Sequence, residues 1–210
     1  MRTMSKTLSG VAFTGAAALA AFALTAAPAF ASVSTATVSG STGTNGAFTA
    51  TAANPTLVDT KTGATLKCTS SSASGTAVNG TYTAGAPTAI QVASLSSVTW
   101  SGCTLLGIPF SVTGSGYAWG LNATGATASG VTPGSITGVH AVLSGACVAT
   151  VTGTVTGTYT NSSHTLAISA GTLTTSGVSG LCLGQINNGD AVTYTANYVV
   201  TPSTLALNAS

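Results

Sequence analysis

Hydrophobic and polar residues alternate along most of the chain after residue 31, which is the pattern of β-strands with one buried face. The clearest case is the run 150–160, in which threonine occupies every even position. Val151 and Val155 point to the opposite side of this predicted strand. Gly153 and Gly157 share that side, and we expect them to mark bulges or places of close packing.

Turn residues separate many short segments with the same alternation. The predicted strands lie near 33–38, 48–52, 76–83, 89–100, 110–113, 117–121, 136–142, 166–168 and 192–196. The turn signals are Thr44-Asn45-Gly46, Asn79-Gly80, Pro133-Gly134, Asn161-Ser162-Ser163 and Asn188-Gly189. No helical apolar stripe follows residue 31. The pattern predicts an all-β fold, an antiparallel β-sandwich or barrel of roughly 10–14 strands.

The first 31 residues have the order of a secretory signal peptide. Arg2 and Lys6 precede an apolar run rich in alanine and leucine, and Ala29-Phe30-Ala31 forms a cleavage site. The apolar run of about 16 residues is shorter than the roughly 20 needed to span a bilayer. We therefore expect a signal peptide at 1–31, a secreted all-β domain at 32–210 and no membrane span after cleavage.

Charged side chains are nearly absent, since they make up 3% of the chain and glutamate does not occur. After cleavage only Lys61, Lys67, Asp59 and Asp190 remain, which gives a side-chain net charge of zero. A nucleic-acid binder needs many more cations, and a helical bundle needs charged faces, so both classes are excluded. Hydroxyl groups replace charge on the predicted surface, and weak repulsion between molecules favours association of the chain with itself.

The four cysteines suggest an internal duplication. Cys68 and Cys103 are separated by the same number of residues as Cys147 and Cys182. Similar sequences rich in glycine and threonine follow Cys68 and Cys147. We predict pseudo-repeats at about 64–121 and 142–200. An even cysteine count in a secreted chain indicates disulfides. Three connectivities are open, and the repeat favours Cys68–Cys103 with Cys147–Cys182. Zinc requires closely spaced ligand pairs, which this sequence lacks.

The titratable side chains are too few and too scattered to predict an active site. Asp59 lies in a segment typical of a solvated loop, and Asp190 lies in a turn. His140 falls within a predicted strand and His164 follows a turn. We therefore expect no catalytic activity, no cofactor and no metal. With so few titrating groups, stability should change little between the carboxylate and tyrosine pH ranges.

Aromatic residues offer the best candidates for ligand contact. Tyr117 and Trp119 alternate with Leu121 and could line a surface for a sugar or another ligand, although core packing is the alternative. The candidate ligand surface comprises Tyr117, Trp119, Asn187, Asn188 and Asp190. Trp100 precedes Cys103 closely, so we expect it to pack as core near that disulfide.

Four motifs carry a resemblance to a known group of proteins. They are Cys68…Gly-Thr-x-Val…Trp100-Ser-Gly-Cys103, Trp119-Gly-Leu-Asn-Ala123, Gly153-Thr-Val-Thr-Gly-Thr-Tyr159 and Cys182-Leu-Gly-Gln-Ile-Asn-Asn-Gly-Asp190. The chain resembles uncharacterised secreted two-disulfide all-β proteins of filamentous actinobacteria, a group with no assigned activity. In composition, disulfides and signal it is also similar to neocarzinostatin-type apoproteins, which are β-sandwich carriers of an apolar chromophore, although their motifs are not matched.

The sequence therefore predicts a non-catalytic, extracellular structural or surface-associated protein. Its expected partners are other copies of itself and a cell-surface or matrix polymer, and nucleic acid is excluded. The alternative is an extracellular binding module or carrier for a small apolar ligand or a glycan. An enclosed apolar cavity would favour the carrier, whereas a long exposed edge or a flat threonine face would favour association.

Overall fold

The structure, a computed structural model, describes residues 33–43, 45–84, 89–114 and 118–210. The signal peptide predicted at 1–31 lies outside these residues. The described part is built from β-strands, so the predicted all-β class is confirmed. The strands are β1 (Thr35–Ser39), β2 (Ala47–Ala53), β3 (Thr56–Asp59), β4 (Thr65–Lys67), β5 (Ser70–Thr76), β6 (Gly80–Thr83), β7 (Ile90–Ser101), β8 (Cys103–Leu105), β9 (Ile108–Thr113), β10 (Trp119–Ala123), β11 (Val131–Ser144), β12 (Cys147–Thr160), β13 (Thr165–Gly180), β14 (Ala191–Thr201) and β15 (Ala206–Ala209). No helix able to cross a membrane occurs among the described residues.

The larger sheet closes on itself as an antiparallel barrel. Around one level, hydrogen bonding runs through β2, β5, β7, β10, β11, β12, β13 and β14, and then returns to β2. Around the other level it runs through β3, β4, β8 and β9. The long strands β11, β12, β13 and β14 take part in both levels and complete this second circle. Closure leaves no long free edge in this sheet, which is how barrels avoid strand addition by other chains.

Short irregular segments divide four of the eight barrel strands into two shorter strands each. β2 and β3 pair with successive parts of β14: Ala52 lies opposite Tyr198, and Thr56 lies opposite Thr195. The pairs β4 with β5, β7 with β8, and β9 with β10 continue one another in the same way. With each divided strand counted once, the described residues form eight barrel strands and three strands outside the barrel, which is within the predicted range, whereas the fifteen separate segments exceed it.

A small second sheet covers one end of the barrel. It consists of β15, β1 and β6, with β1 in the middle, and we call it the cap sheet. Side chains from the barrel hold it in place: the Tyr159 hydroxyl donates to the Leu205 carbonyl at 2.8 Å. The Asn161 amide donates to the Leu207 carbonyl at 2.9 Å and accepts from the Leu207 backbone N–H. The cap sheet thus closes the barrel end that contains the last residues of β12 and β14.

The two disulfides have the favoured connectivity, Cys68–Cys103 and Cys147–Cys182. Each bridge joins two neighbouring strands of the wall: Cys68 and Cys103 lie at the β4–β5 and β7–β8 junctions, whereas Cys147 begins β12 and Cys182 follows β13. The repeated sequence does not take equivalent structures, however. Residues 75–83 pass from β5 into the cap sheet, whereas 153–160 stay within β12.

Candidate functional site

The barrel interior combines large apolar side chains with several alanines. Alternate residues of each strand point inward, and seven of these buried positions are alanine. They are Ala50, Ala52, Ala73, Ala123, Ala141, Ala149 and Ala196. The interior of an eight-stranded barrel is just wide enough to be filled by side chains or to hold one small ligand. Because alanine fills so little of that width, the core contains empty space.

A first cavity of about 70 Å³ lies in the middle of the barrel, and we call it the central cavity. One part of its wall is aromatic and the rest is aliphatic. The aromatic part consists of Trp100, Trp119, Tyr194 and Tyr198, together with Phe48. No charged side chain lines it, so the site suits an uncharged apolar molecule.

A second cavity of about 80 Å³, the cap cavity, lies between the barrel and the cap sheet. Leu205 and Leu207 close it from the cap side. Four residues line both cavities and therefore separate them: Phe48, Ile136, Leu166 and Ile168. The combined volume is close to that of an engineered apolar cavity of about 150 Å³ that stays dry and binds benzene.

A chain of hydrogen bonds runs behind the aromatic wall of the central cavity. The Ser71 hydroxyl donates to the Thr99 carbonyl at 2.9 Å, so its oxygen accepts from the Tyr198 hydroxyl at 2.7 Å. Tyr198 in turn accepts from the Tyr194 hydroxyl at 2.8 Å, and Tyr194 accepts from the Trp100 indole N–H at 3.0 Å. Every donor in this chain is therefore used, which fixes Trp100 and both tyrosines in place.

Burial perturbs the tyrosines of the barrel. Loss of hydration raises the pKa of Tyr194 and of Tyr198 above the usual value of 10.0. For Tyr194, repulsion from an ionised Tyr198 adds to this rise. Burial also raises the pKa of Tyr159, at the cap end. All three phenols consequently remain neutral in the folded protein over the physiological pH range.

Trp119 differs from Trp100 in its hydrogen bonding. It is 5% exposed, and its rings lie 6.3 Å from those of Trp100, centroid to centroid. Its indole Nε1 is buried and has no hydrogen-bond partner. The sequence offered two interpretations of Trp119, a ligand-binding surface or core packing, and the side chain lies in the barrel interior.

The other candidate ligand residues do not join Trp119. Tyr117 lies outside the described residues. Asn187, Asn188 and Asp190 belong to the connection from β13 to β14, at the barrel end opposite the cap sheet. The Asp190 carboxylate accepts from the side-chain amide of Asn187 at 2.8 Å and from its backbone N–H at 2.9 Å. Donation from the Asn187 side chain holds the pKa of Asp190 below its usual range, and Lys61, 3.4 Å away, adds to this effect.

Asp59 is buried, so the prediction that it lies in a solvated loop was wrong. Its carboxylate accepts from the backbone N–H groups of Lys61 and Thr62, at 2.9 and 3.0 Å, and so closes the turn after β3. Within the part of the chain that the structure describes, no group of three or more histidine, cysteine, aspartate or glutamate side chains could hold a metal ion.

Sequence reasoning did not identify Trp100, Tyr194 and Tyr198 as parts of a ligand site. From the sequence, Tyr194 could be assigned only to one face of the strand 192–196, since its packing against Trp100 joins residues far apart in the chain.

In comparisons with protein families, with curated proteins and with solved structures, the chain shows no significant match. The function must therefore be argued from the geometry of the barrel.

Proposed function

We propose that this protein is a secreted, non-catalytic carrier that holds a small, uncharged, apolar molecule inside its barrel. The observation that supports this most directly is the pair of adjoining apolar cavities, which the cap sheet covers at one end. Its two disulfides are typical of extracellular proteins and support the same setting.

The size and chemistry of the interior limit the ligand. Side-chain rearrangement of Phe48, Ile136, Leu166 and Ile168 would join the two cavities into one space, suited to a molecule with a single ring or a short chain. The wall offers no charge to pair with an ionised ligand, and burying an unpaired charge is very costly. Burial of the ligand's apolar surface supplies the binding energy, at about 25 cal/mol per Å².

Native mass spectrometry of the protein purified from its own culture medium tests this proposal. We expect a mass above that of the disulfide-bonded chain, and release of a neutral small molecule on unfolding. A second arm titrates the emptied protein with toluene and follows tryptophan fluorescence, because Trp100 and Trp119 both line the central cavity. A protein that retains nothing and also fails to bind toluene would contradict the carrier function.

Filling the central cavity should abolish binding without harming the fold. In Ala141→Ile the added atoms enter the space that the ligand would occupy, so we expect toluene affinity to fall at least about tenfold while thermal stability is kept or raised. Ala170→Ile is the matched control, since Ala170 is exposed on β13 and points away from the cavity. Equal affinities of the two variants would argue against binding inside the barrel.

A second function, extracellular association between copies of this chain, is favoured by an exposed apolar end of the barrel. Opposite the cap sheet, five large apolar side chains reach solvent, and we call them the apolar end: Leu106, Ile108, Val148, Leu181 and Leu183. Leu181 and Leu183 are 74% and 75% exposed. The described residues carry two lysines and two aspartates, so little repulsion opposes the meeting of two such ends.

Removal of the apolar end should weaken self-association. We expect the double variant Leu181→Ser, Leu183→Ser to sediment as a monomer at concentrations where the native protein forms dimers or larger species. The control is Val199→Ser, which removes an exposed apolar side chain from the barrel wall at the other end of β14. A native protein that stays monomeric up to millimolar concentration would rule out this second function.

A further inference from the structure

Two leucines at the apolar end have backbone conformations that leucine disfavours. Leu106, in the turn between β8 and β9, has a φ of 51°, and Leu183, after β13, has a φ of 49°. This left-handed region is costly for a side chain of such size and is normally taken by glycine, asparagine or aspartate. Both side chains are also largely exposed, at 68% and 75%. A partner that covers them would explain why leucine occupies these positions.

The strand connections that carry the apolar end lie against one another. The Leu181 N–H donates to the Ala146 carbonyl at 2.8 Å, which joins the β13–β14 connection to the β11–β12 turn. Gly145 in that turn packs closely against the Pro109 carbonyl of β9. The exposed leucines therefore project from neighbouring connections at the tip of the barrel.

Both lysines of the described residues lie near the same end. Lys61 belongs to the β3–β4 turn, in which the Thr62 hydroxyl donates to the Gln185 carbonyl of the β13–β14 connection at 2.9 Å. Lys67 is exposed on β4 and pairs with Thr104 of β8, the strand that leads into the β8–β9 turn. The apolar end is therefore bordered by two cations.

The two aspartates at this end face inward. Asp59 and Asp190 are 2% and 3% exposed, and each carboxylate accepts hydrogen bonds from N–H groups of its own turn. Asp190 also lies 3.4 Å from the ammonium group of Lys61, whose side chain stays 74% exposed. An approaching surface therefore meets leucines and lysines, while the carboxylates lie beneath them.

We propose that the apolar end docks on a lipid surface with anionic headgroups, and that Leu106, Leu181 and Leu183 insert at the boundary between headgroups and acyl chains. Burial of apolar side chains and attraction of cations to anionic lipid add together at such an interface. A second copy of the chain would bring its own lysines against these two, so charge favours the lipid surface as the partner. The proposal goes beyond the carrier function and does not depend on it.

Flotation of the protein with lipid vesicles tests the proposal. One set of vesicles is pure phosphatidylcholine, and in the other about a third of the lipid is anionic phosphatidylglycerol. We expect the native protein to bind the anionic vesicles at least about tenfold more tightly, and about 1 M sodium chloride to remove most of this preference. The double variant Lys61→Gln, Lys67→Gln should bind both kinds of vesicle equally weakly.

Asparagine tolerates the left-handed conformation, so it separates binding from folding at the leucine positions. In the double variant Leu106→Asn, Leu183→Asn we expect thermal stability to be kept or raised, while affinity for anionic vesicles falls at least about tenfold. Val199→Thr is the control, since it removes an exposed apolar side chain from β14, in the half of the barrel nearer the cap sheet. This variant should bind vesicles as the native protein does.

Tryptophan fluorescence shows which end meets the lipid. In Leu183→Trp the emission should move to shorter wavelength when anionic vesicles are added, whereas in Val199→Trp it should not. A native protein that binds neither kind of vesicle, or binds both equally, would overturn the proposal. Dimers that depend on Leu181 and Leu183, without vesicle binding, would also overturn it, because a second copy would then be the partner. The carrier function stands in each of these cases.

Discussion

Raising the pH above about 10 is expected to unfold the protein steeply. In the unfolded chain tyrosines ionise near pH 10, whereas burial raises the pKa of Tyr159, Tyr194 and Tyr198 in the folded barrel. The folded state therefore binds more protons above this pH. The stability that comes from the three neutral phenols is fully present below pH 10 and is lost as the pH rises beyond it.

The expected effect is large because three groups act together. Each contributes at most about 1.4 kcal/mol per pH unit, for as long as its pKa in the folded state stays above the pH, so the three together set an upper bound of about 4 kcal/mol per unit above pH 10. That is a large fraction of the total of about 5–15 kcal/mol typical of a domain. Urea unfolding followed by tryptophan fluorescence, at steps from pH 7 to 11, measures the free energy of unfolding directly.

Tyr159→Phe is the cleanest control for this pH dependence. It removes one raised pKa and leaves only the Leu205 carbonyl without its donor, whereas Tyr198→Phe would break the hydroxyl chain. We expect the slope above pH 10 to become shallower in Tyr159→Phe, by at most about a third. An unchanged slope in this variant, or a native protein as stable at pH 11 as at pH 9, would contradict the role of the buried phenols.

The strands could be predicted from sequence because alternation is a local signal. The run 89–100 corresponds closely to β7, and the threonine row 150–160 lies within β12. Local signals also gave a wrong prediction. Pro133-Gly134, predicted as a turn, lies inside β11, where Pro133 pairs with Thr158 and Gly134 with Gly157. A turn dipeptide can be accommodated in a strand when tertiary pairing favours it, and the sequence does not contain that information.

Closure of the barrel and the site inside it could not be predicted in this way. Closure depends on β2 pairing with β14, for example Ala52 opposite Tyr198, and these two strands are far apart in the sequence. The cavities depend on how alanines from many strands face one another. The different states of Trp100 and Trp119 depend on which indole meets Tyr194. Each of these properties is set by contacts between distant residues.

A single methyl group at Gly157 should destabilise the barrel severely. Gly157 lies on the inward side of β12, as predicted, at an irregularity in its pairing with β13. A Cβ atom there would come within 1.9 Å of the Ala167 carbonyl oxygen and within 3.0 Å of the Ile168 Cα. Both are backbone atoms of the neighbouring strand, so neither can move aside by changing a side-chain rotamer.

We therefore expect Gly157→Ala to lower the free energy of unfolding by about 3 kcal/mol or more, measured by urea denaturation at pH 7. Gly120→Ala is the matched control, since Gly120 is also a strand glycine in the barrel wall. Its Cβ would meet the ends of two side chains, Thr137 at 3.0 Å and Gln91 at 3.3 Å, and both can shift. That variant should stay within about 1 kcal/mol of the native protein. Equal losses in the two variants would show that the close approach of β12 and β13 at Gly157 is not what the barrel requires there.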